Sequence, residues 1–546
     1  MISTATQRAS AASAPQWGTQ VRRRSERRPG LLVWEPRRRS LPELLRDALP
    51  WAEREFLIQG ERRLTFGDHA VAVDHAVIEL HASGVAHGER VLILSGNHIE
   101  TIVLWWATVC AGAIPVMGNS WWSSAEISGA IGDIDPRIVV ADDKRAARIP
   151  PEAGNVHRVG DVARPLTTQI AEPASRIEQP PADEDDPATI IFTSGTTGRP
   201  RGVVLSHRAV IANVHNLLYA SHQLPHQLGD ERPAQTSMLG VPFFHMSGLQ
   251  SMIIALVTGA RLVLPLPGPF DAKATLELMQ AEQLTFFAGV PTVLGRLVDH
   301  PDIASYDFSS IKSITMGGMP VPPALVSRIR TTFPSAGRRV STMYGLTESG
   351  GALTTCSGTA LNERPWSSGE PLPVVELRVA SPDPEGMGEI EARSPTNMSG
   401  YWGDDAGPVI DADGWLHTGD LGRLVDGHLE LVGRSKDVVV RAGENVAAPH
   451  VEACLLSHPA VAEVAVLGLQ HDDLGEEVAA AVVAAHGCEI TAEELRAYAS
   501  ERMAHFEVPT AWSIRSEPLP TNASGKILKA RIRRDWDLSV ASLDSG

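Results

Sequence analysis

The sequence predicts an α/β protein in two parts: a large N-terminal multi-sheet α/β body and a small C-terminal α+β domain. Three observations carry this reading. The chain runs to 546 residues, more than a single hydrophobic core ordinarily sustains. From about Leu41 to Val432, short β-rich apolar runs alternate with helical patterns, as an α/β body requires. Beyond the charged stretch Gly433-Arg434-Ser435-Lys436-Asp437, the pattern restarts as a compact set of strands and a helix.

Strands of the body are expected at Arg90–Leu94, Arg137–Ala141, Thr189–Thr193, Arg261–Leu264, Thr285–Val290, Ser313–Met316 and Ser341–Tyr344. Several are unbroken apolar runs ending in Gly or polar residues, the signature of strands buried on both faces of a sheet. Thr101 to Ala125 contains no Asp, Glu, Lys or Arg, but Pro115, Gly118, Asn119 and Ser120 interrupt it. It therefore reads as a buried short helix followed by a strand, and no membrane span is expected. Glu172 to Pro187 is an acidic, Pro-rich linker, and Leu264 to Pro269, with prolines at 265, 267 and 269, an irregular surface connection.

Residues 1–40 read as a flexible tail. Residues 1–30 are rich in Ser, Ala and Arg with Glu26 the only acid, yet show neither a helical apolar face nor the apolar core of a secretory signal. In the C-terminal unit, strands Glu463–Leu467 and Val478–Val483 flank a polar connection, Gln470–Glu477. Thr491 and Glu494 make a capping box that starts a helix. The expected division is thus 41–433 and 438–546, with 434–437 between them.

Composition narrows the function classes. Apolar residues make up 43% and charged residues 21%, which suits a soluble globular chain. A formal charge of -17 repels a phosphate backbone, so no nucleic-acid partner is expected. The cysteines, Cys110, Cys356, Cys454 and Cys488, lie far apart without metal-ligand spacing, as free thiols in a reducing cytoplasm do. Nothing in the sequence sets an oligomeric state.

Chemistry concentrates in one loop. Thr193 to Gly202 reads Thr-Ser-Gly-Thr-Thr-Gly-Arg-Pro-Arg-Gly after an apolar strand. Glycines let backbone N–H groups approach phosphate oxygens, hydroxyls add donors and arginines add charge. The GxxxxGK[ST] spacing of a Walker A loop is absent. With it stand, in order, Gly317-Gly318-Met319-Pro320, Tyr344-Gly345-Leu346-Thr347-Glu348, Gly414-Trp415-Leu416-His417-Thr418-Gly419-Asp420 and Pro520-Thr521-Asn522-Ala523-Ser524-Gly525-Lys526.

This ordered set resembles the adenylate-forming superfamily of acyl-CoA synthetases, peptide-synthetase adenylation domains and luciferases, from about Leu41 to Arg534. The resemblance implies an acyl-CoA synthetase that joins a carboxylic acid to coenzyme A through an acyl-AMP made from ATP with Mg²⁺. Thr193, Ser194, Gly195, Thr196, Thr197 and Gly198 would cradle the phosphates, with Thr193 and Arg201 taking part in the reaction. Gly318, Met319, Tyr344, Gly345, Leu346 and Thr347 would hold the nucleotide, Tyr344 stacking on adenine. Glu348 would hold Mg²⁺. Asp420 would accept from the ribose hydroxyls, with Arg434 as a second contact. Lys526 would be the catalytic lysine, stabilising charge at the α-phosphate. The small domain would be mobile, turning about a hinge at Lys436 to present Gly443-Glu444-Asn445 to the CoA tunnel.

Pro242-Phe243-Phe244-His245 resembles the acyl-pocket entrance, with His245 gating it. Gly289 and Gly317, beside Phe286, Phe287 and Val290, leave room for a sizeable hydrophobic acid. The superfamily normally has Lys at the position of Arg201, and a forked guanidinium contacts phosphates differently. Two other enzymes therefore compete: a ligase that only thioesterifies a preformed acyl-adenylate, and a stand-alone adenylation enzyme loading a carrier protein. A catalytically silent nucleotide-binding module is disfavoured by the presence of Lys526 and Glu348.

Overall fold

The computed structural model describes residues 17–24, 30–163, 183–193, 200–228, 234–403, 409–434, 438–441, 444–471, 473–522 and 525–543. The apolar runs become two large sheets. In a seven-stranded sheet, Pro187–Thr193, Ile114–Met117, Arg90–Leu94, Ile138–Ala141 and Val156–Arg158 lie parallel. Arg201–Ser206 folds back antiparallel on Pro187–Thr193, and Gly400–Tyr401 closes that edge. A thirteen-stranded path contains the parallel strands Val340–Leu346, Ser313–Gly317, Phe286–Gly289, Thr236–Met238, Arg261–Val263 and Glu55–Gln59. It continues through antiparallel strands that include Leu416–Val425 and His428–Arg434.

Period-2 alternation explains why these strands carry no polar face. Val91 and Ile93 enter the main core, while Leu92 and Leu94 pack into a second cluster on the other side. Helices Phe66–Ala82, Ile99–Cys110, His207–Ala220 and Met246–Thr258 supply much of that main core. Every residue of Ile99–Cys110 except Glu100 is buried, which accounts for the charge-free run. Trp105 and Trp106 meet edge to face at 4.9 Å, and their indole N–H groups donate to Thr189 Oγ1 (3.4 Å) and Met252 Sδ (2.9 Å). The helix is 12 residues long, about 18 Å, well short of a bilayer's ~30 Å. Among the described residues no helix is long and apolar enough to cross a membrane.

The expected tail is corrected from Trp17 onward. Gln20–Arg23 and Leu32–Glu35 pair as antiparallel strands, and Trp17 and Trp34 are buried. Trp34 stacks on His215 at 4.6 Å and donates to Asn216 Oδ1 (2.9 Å), while the His215 ring meets Gly18 O at 2.8 Å. Two arginines of that segment, Arg24 and Arg37, are internal ion-pair partners. Glu184 takes Arg24 (2.9 Å) and Arg37 (3.0 Å), and Asp185 pairs with Arg208. Those acids lie in the stretch read as a linker. Two charged segments thus neutralise each other in a largely buried network, where losing one partner would leave a costly lone charge.

The C-terminal sheet runs in the order Glu444–Ala447, Val438–Arg441, Gly475–Ala484, Val461–His471, with Ala511–Arg515 parallel to Gly475–Ala484. The polar stretch Gln470–Glu477 is not a loose connection. Leu469 pairs with Glu477 and His471 with Gly475, so the hairpin ladder continues through it. Thr491 caps helix Ala492–Ser500 with the expected reciprocal bonds to Glu494.

Several buried histidines stay neutral. His69 is 1% exposed, edge-on to Phe56 at 5.1 Å, and among the described residues neither ring nitrogen has a partner. Burial lowers its pKa from 6.5 to about 3, and those of His207 and His215 to about 4. Below pH 6.5 the unfolded chain therefore binds more protons than the folded one. The stability from these rings is complete above 6.5 and is lost as pH falls from there toward the folded values. Urea unfolding should show stability declining between about pH 6.5 and 4. His69→Leu should flatten that slope by about 1.4 kcal/mol per pH unit; an unchanged slope would exclude His69 as a contributor.

Candidate active site

The carboxyl ends of parallel strands are where α/β sheets bind ligands, and the candidate residues gather there. Gly289, Gly317 and Tyr344 end or nearly end three adjacent parallel strands: Gly289 lies opposite Met316, and Gly317 opposite Met343. A Cβ on Gly317 would stand 3.0 Å from the Met343 carbonyl oxygen, so that close strand approach favours glycine. Gly318, with Met319 after it, turns away from the strand beside Val290. Tyr344 donates its hydroxyl to Asp420 Oδ2 at 2.7 Å. Asp420 is 7% exposed on Leu416–Val425, opposite Arg434 in the ladder, and its N–H is held by Thr418 Oγ1 at 3.1 Å.

Glu348 sits in the turn after Gly345, Leu346 and Thr347. Buried Ser349 braces this turn, donating to Leu346 O (2.9 Å) and Gly351 O (2.8 Å) and accepting from Leu346 N (3.0 Å). Glu348 Oε1 accepts the Tyr401 hydroxyl at 3.0 Å. The Tyr401 ring in turn carries the Arg201 guanidinium 3.5 Å from its centroid. Arg201 is the ladder partner of Thr193, and Tyr401 of Val203. Thr193, Arg201, Tyr401 and Glu348 therefore form one continuous patch that spans the two large sheets. Main-chain bonds from Met398 N to Glu348 O (2.9 Å), Ser399 N to Val204 O (2.9 Å) and Trp402 N to Gly202 O (2.8 Å) stitch it together. Sequence reasoning missed Tyr401. Its one available signal was scarcity, since the chain has only five tyrosines and this site uses two.

The C-terminal unit reaches the same strand ends. Asn522 closes a turn around Lys526, accepting Lys526 N at its Oδ1 (2.9 Å) and donating its own N–H to Lys526 O (2.8 Å). Gly525 has φ +78, and a Cβ there would meet Val290 Cγ2 at 2.9 Å. Val290 also lies beside Gly318. One valine thus separates the Lys526 turn from the Gly317-Gly318 strand end. The Lys526 segment packs on one face of the small sheet through Leu519, Ile527 and Ile532. The hairpin bearing Glu444 and Asn445 forms that sheet's edge, burying Val439 and Val446 on the opposite face. Glu444 is exposed.

His245 precedes helix Met246–Thr258, tilted against Phe244 at 4.6 Å, and burial lowers its pKa to about 4, so the ring is neutral. Asn97 fixes the preceding loop, accepting Phe243 N and donating to Val241 O, each at 2.8 Å. Phe287 is fully buried in an apolar cluster, its ring beside Gly289, where a Cβ would stand 3.1 Å from Phe287 Cε1. Strand alternation turns it inward while Phe286 is only half-buried. Ser194, Gly195, Thr196, Thr197, Gly198, Lys436 and Gly443 lie outside the described residues.

Comparison with known proteins identifies the family. Residues 45–402 match the model of the AMP-binding enzyme family, and residues 450–526 that of the AMP-binding enzyme C-terminal domain. Feruloyl-CoA synthase of an Amycolatopsis species is 32% identical over 484 residues, covering 87% of this chain and 94% of the relative. A long-chain-fatty-acid–CoA ligase of Mycobacterium tuberculosis is 30% identical, covering 88% of this chain and 94% of the relative. Among solved structures, o-succinylbenzoate CoA synthetase of Bacillus subtilis in complex with its acyl-adenylate intermediate superposes with a TM-score of 0.73. It is 28% identical, covering 90% of this chain and 97% of that one. With both family models matched in order across the body and the C-terminal unit, the chain belongs to the AMP-binding enzyme family.

Proposed function

We infer that the chain is an AMP-forming acid–thiol ligase, an acyl-CoA synthetase that activates a largely apolar carboxylic acid as its acyl-adenylate and passes the acyl group to coenzyme A. The observation that carries this reading is the meeting of Tyr344–Asp420, Tyr401–Glu348 and the Lys526 turn at one set of strand ends. In the first step a carboxylate oxygen of the acid attacks the α-phosphorus of ATP, and pyrophosphate leaves. Tyr344 stacks on adenine, and Asp420, fixed by the Tyr344 hydroxyl, accepts from the ribose. Thr193 and the loop after it receive the phosphates, and Lys526 stabilises the charge that builds on the α-phosphate oxygens.

Glu348 suits Mg²⁺, because one oriented carboxylate plus phosphate oxygens is a donor set this ion takes. The ion would neutralise phosphate charge there. Arg201, stacked on the Tyr401 ring, keeps the positive charge of the usual lysine next to this patch while bracing the tyrosine that orients Glu348. In the second step the thiol of CoA attacks the acyl carbonyl and AMP leaves. We assign residues 41–433 to the adenylate-binding body, 434–437 with Lys436 to a hinge, and 438–546 to a unit that turns between steps. Gly443, Glu444 and Asn445 then line the path of the CoA arm. The Lys526 segment packs on one face of the small sheet, while the Glu444–Ala447 strand at its edge buries Val446 on the other; on this reading a rotation that presents one withdraws the other.

Gly289 and Gly317 leave adjacent strand ends without side chains, and neutral His245 stands at the approach, a lining for an apolar acid body. The acyl groups in the names of two relatives, feruloyl and long-chain fatty acyl, share that character. ATP, CoA and four cysteines outside any disulfide fit a reducing cytoplasm.

The central test supplies aromatic and fatty acids with ATP and Mg²⁺ and follows pyrophosphate exchange, while chemically made acyl-AMP is given with CoA. Exchange on a free acid and thioester from both routes is the expected outcome; thioester from the adenylate alone would establish the thioester-only ligase instead. Lys526→Ala should reduce exchange by about a hundredfold or more and thioester formation from acyl-AMP far less. Tyr401→Phe removes one hydrogen bond to a carboxylate and should lower exchange by about tenfold at limiting Mg²⁺. Added Mg²⁺ should recover part of that loss, and a deficit indifferent to Mg²⁺ would detach Tyr401 from the role of Glu348.

A further inference from the structure

Helix Pro291–Val298 follows directly on Gly289 and Val290. Thr292 and Arg296, four residues apart, share one face of it, and both reach into the C-terminal unit. Thr292 Oγ1 donates to the Gly525 carbonyl at 2.8 Å. Arg296 Nε and Nη2 donate to Glu463 Oε1 at 3.2 and 3.0 Å. The other oxygen of Glu463 accepts the main-chain N–H of Leu519 at 2.7 Å.

Leu519 leads into the segment that carries Lys526, and Gly525 directly precedes that lysine. The segment is closed by the Thr521–Ile527 bridge and by Leu528 N donating to Pro520 O at 2.8 Å. It is therefore held at two points, directly by Thr292 at Gly525 and through the Arg296–Glu463 pair at Leu519. The Glu463 side chain is 14% exposed and that of Arg296 33%, so the pair is better shielded than an open surface bridge and holds its geometry with two donors.

We propose that the Thr292–Arg296 face of this helix is a latch that positions the Lys526 loop for adenylation and must open before the thioester step. This rests on the reading of Lys526 as the adenylation lysine. Thr292 and Arg296 are positioning residues: they act through the loop and touch no reacting atom. Their bonds exist only while the small sheet is docked with this face toward the helix, so each stabilises one conformation and opposes the other. Because the same helix begins at the strand end bearing Gly289, an acid bound there and the latch adjoin the same turn.

The test measures both half-reactions separately in Thr292→Val, Arg296→Gln and the double variant. Pyrophosphate exchange should fall about tenfold in the double variant, in kcat more than in the KM for ATP. Thioester formation from supplied acyl-AMP and CoA should be unchanged or faster. Thr292→Ser should recover exchange, since it restores the hydroxyl. Glu463→Gln keeps an acceptor for Leu519 but loses the ionic partner, and should reproduce the selective loss should the helix variants fold poorly. Equal loss in both half-reactions, or full exchange in the double variant, would overturn the latch. Lys526→Ala run alongside separates the two ideas. Equal loss of both steps in that variant removes the underlying reading, whereas selective loss there with full exchange in the double variant removes the latch alone.

Discussion

The site depends on the seam formed by Met398 to Trp402. This short segment bonds to the Glu348 turn on one side and to the Arg201–Ser206 strand on the other, so it ties the two large sheets together where their carboxyl ends converge. Tyr401 adds side-chain contacts in both directions, its hydroxyl to Glu348 and its ring beneath Arg201. Without the seam, the Thr193 end of one sheet and the Tyr344 end of the other would have no fixed separation. Catalysis by positioned charge needs that separation held to within a fraction of an ångström.

The arginine at position 201 takes its meaning from this arrangement. A guanidinium is planar and can stack on an aromatic ring while remaining charged, which an ammonium does less well. In this protein the departure from the family's lysine is accommodated by Tyr401, and the cation remains beside Thr193 in the ladder. The substitution is therefore a local rearrangement of charge among Thr193, Tyr401 and Glu348.

Each of the two parts of the chain is held by its own contacts. The body is locked by a buried helix layer and by the pairing of Arg24 and Arg37 with Glu184, which clasps the N-terminal strands onto the core. The C-terminal unit has its own two-faced sheet and its own apolar clusters. It meets the body through the Thr292–Gly525 and Arg296–Glu463 hydrogen bonds and the close approach of Val290 to Gly525.

Much of the fold was legible in the sequence because its signals are local. Unbroken apolar runs marked the parallel strands, prolines and glycines marked their ends, and Thr491 with Glu494 marked a helix start, each readable within a few residues. The site motifs were legible for the same reason: Tyr344, Glu348, Asp420 and Lys526 sit in short recognisable strings. What the sequence could not supply was pairing at a distance. Arg24 meets Asp185 across 161 positions, Arg296 meets Glu463 across 167, and Thr292 meets Gly525 across 233. Charges that look like solvated tail or linker residues become buried partners only once the chain has brought them together. Likewise, the burial of Phe287 was decided by which side of the sheet the helices covered. Local pattern thus determined the elements and the chemistry they carry, while tertiary packing alone decided which distant residues hold that chemistry in place.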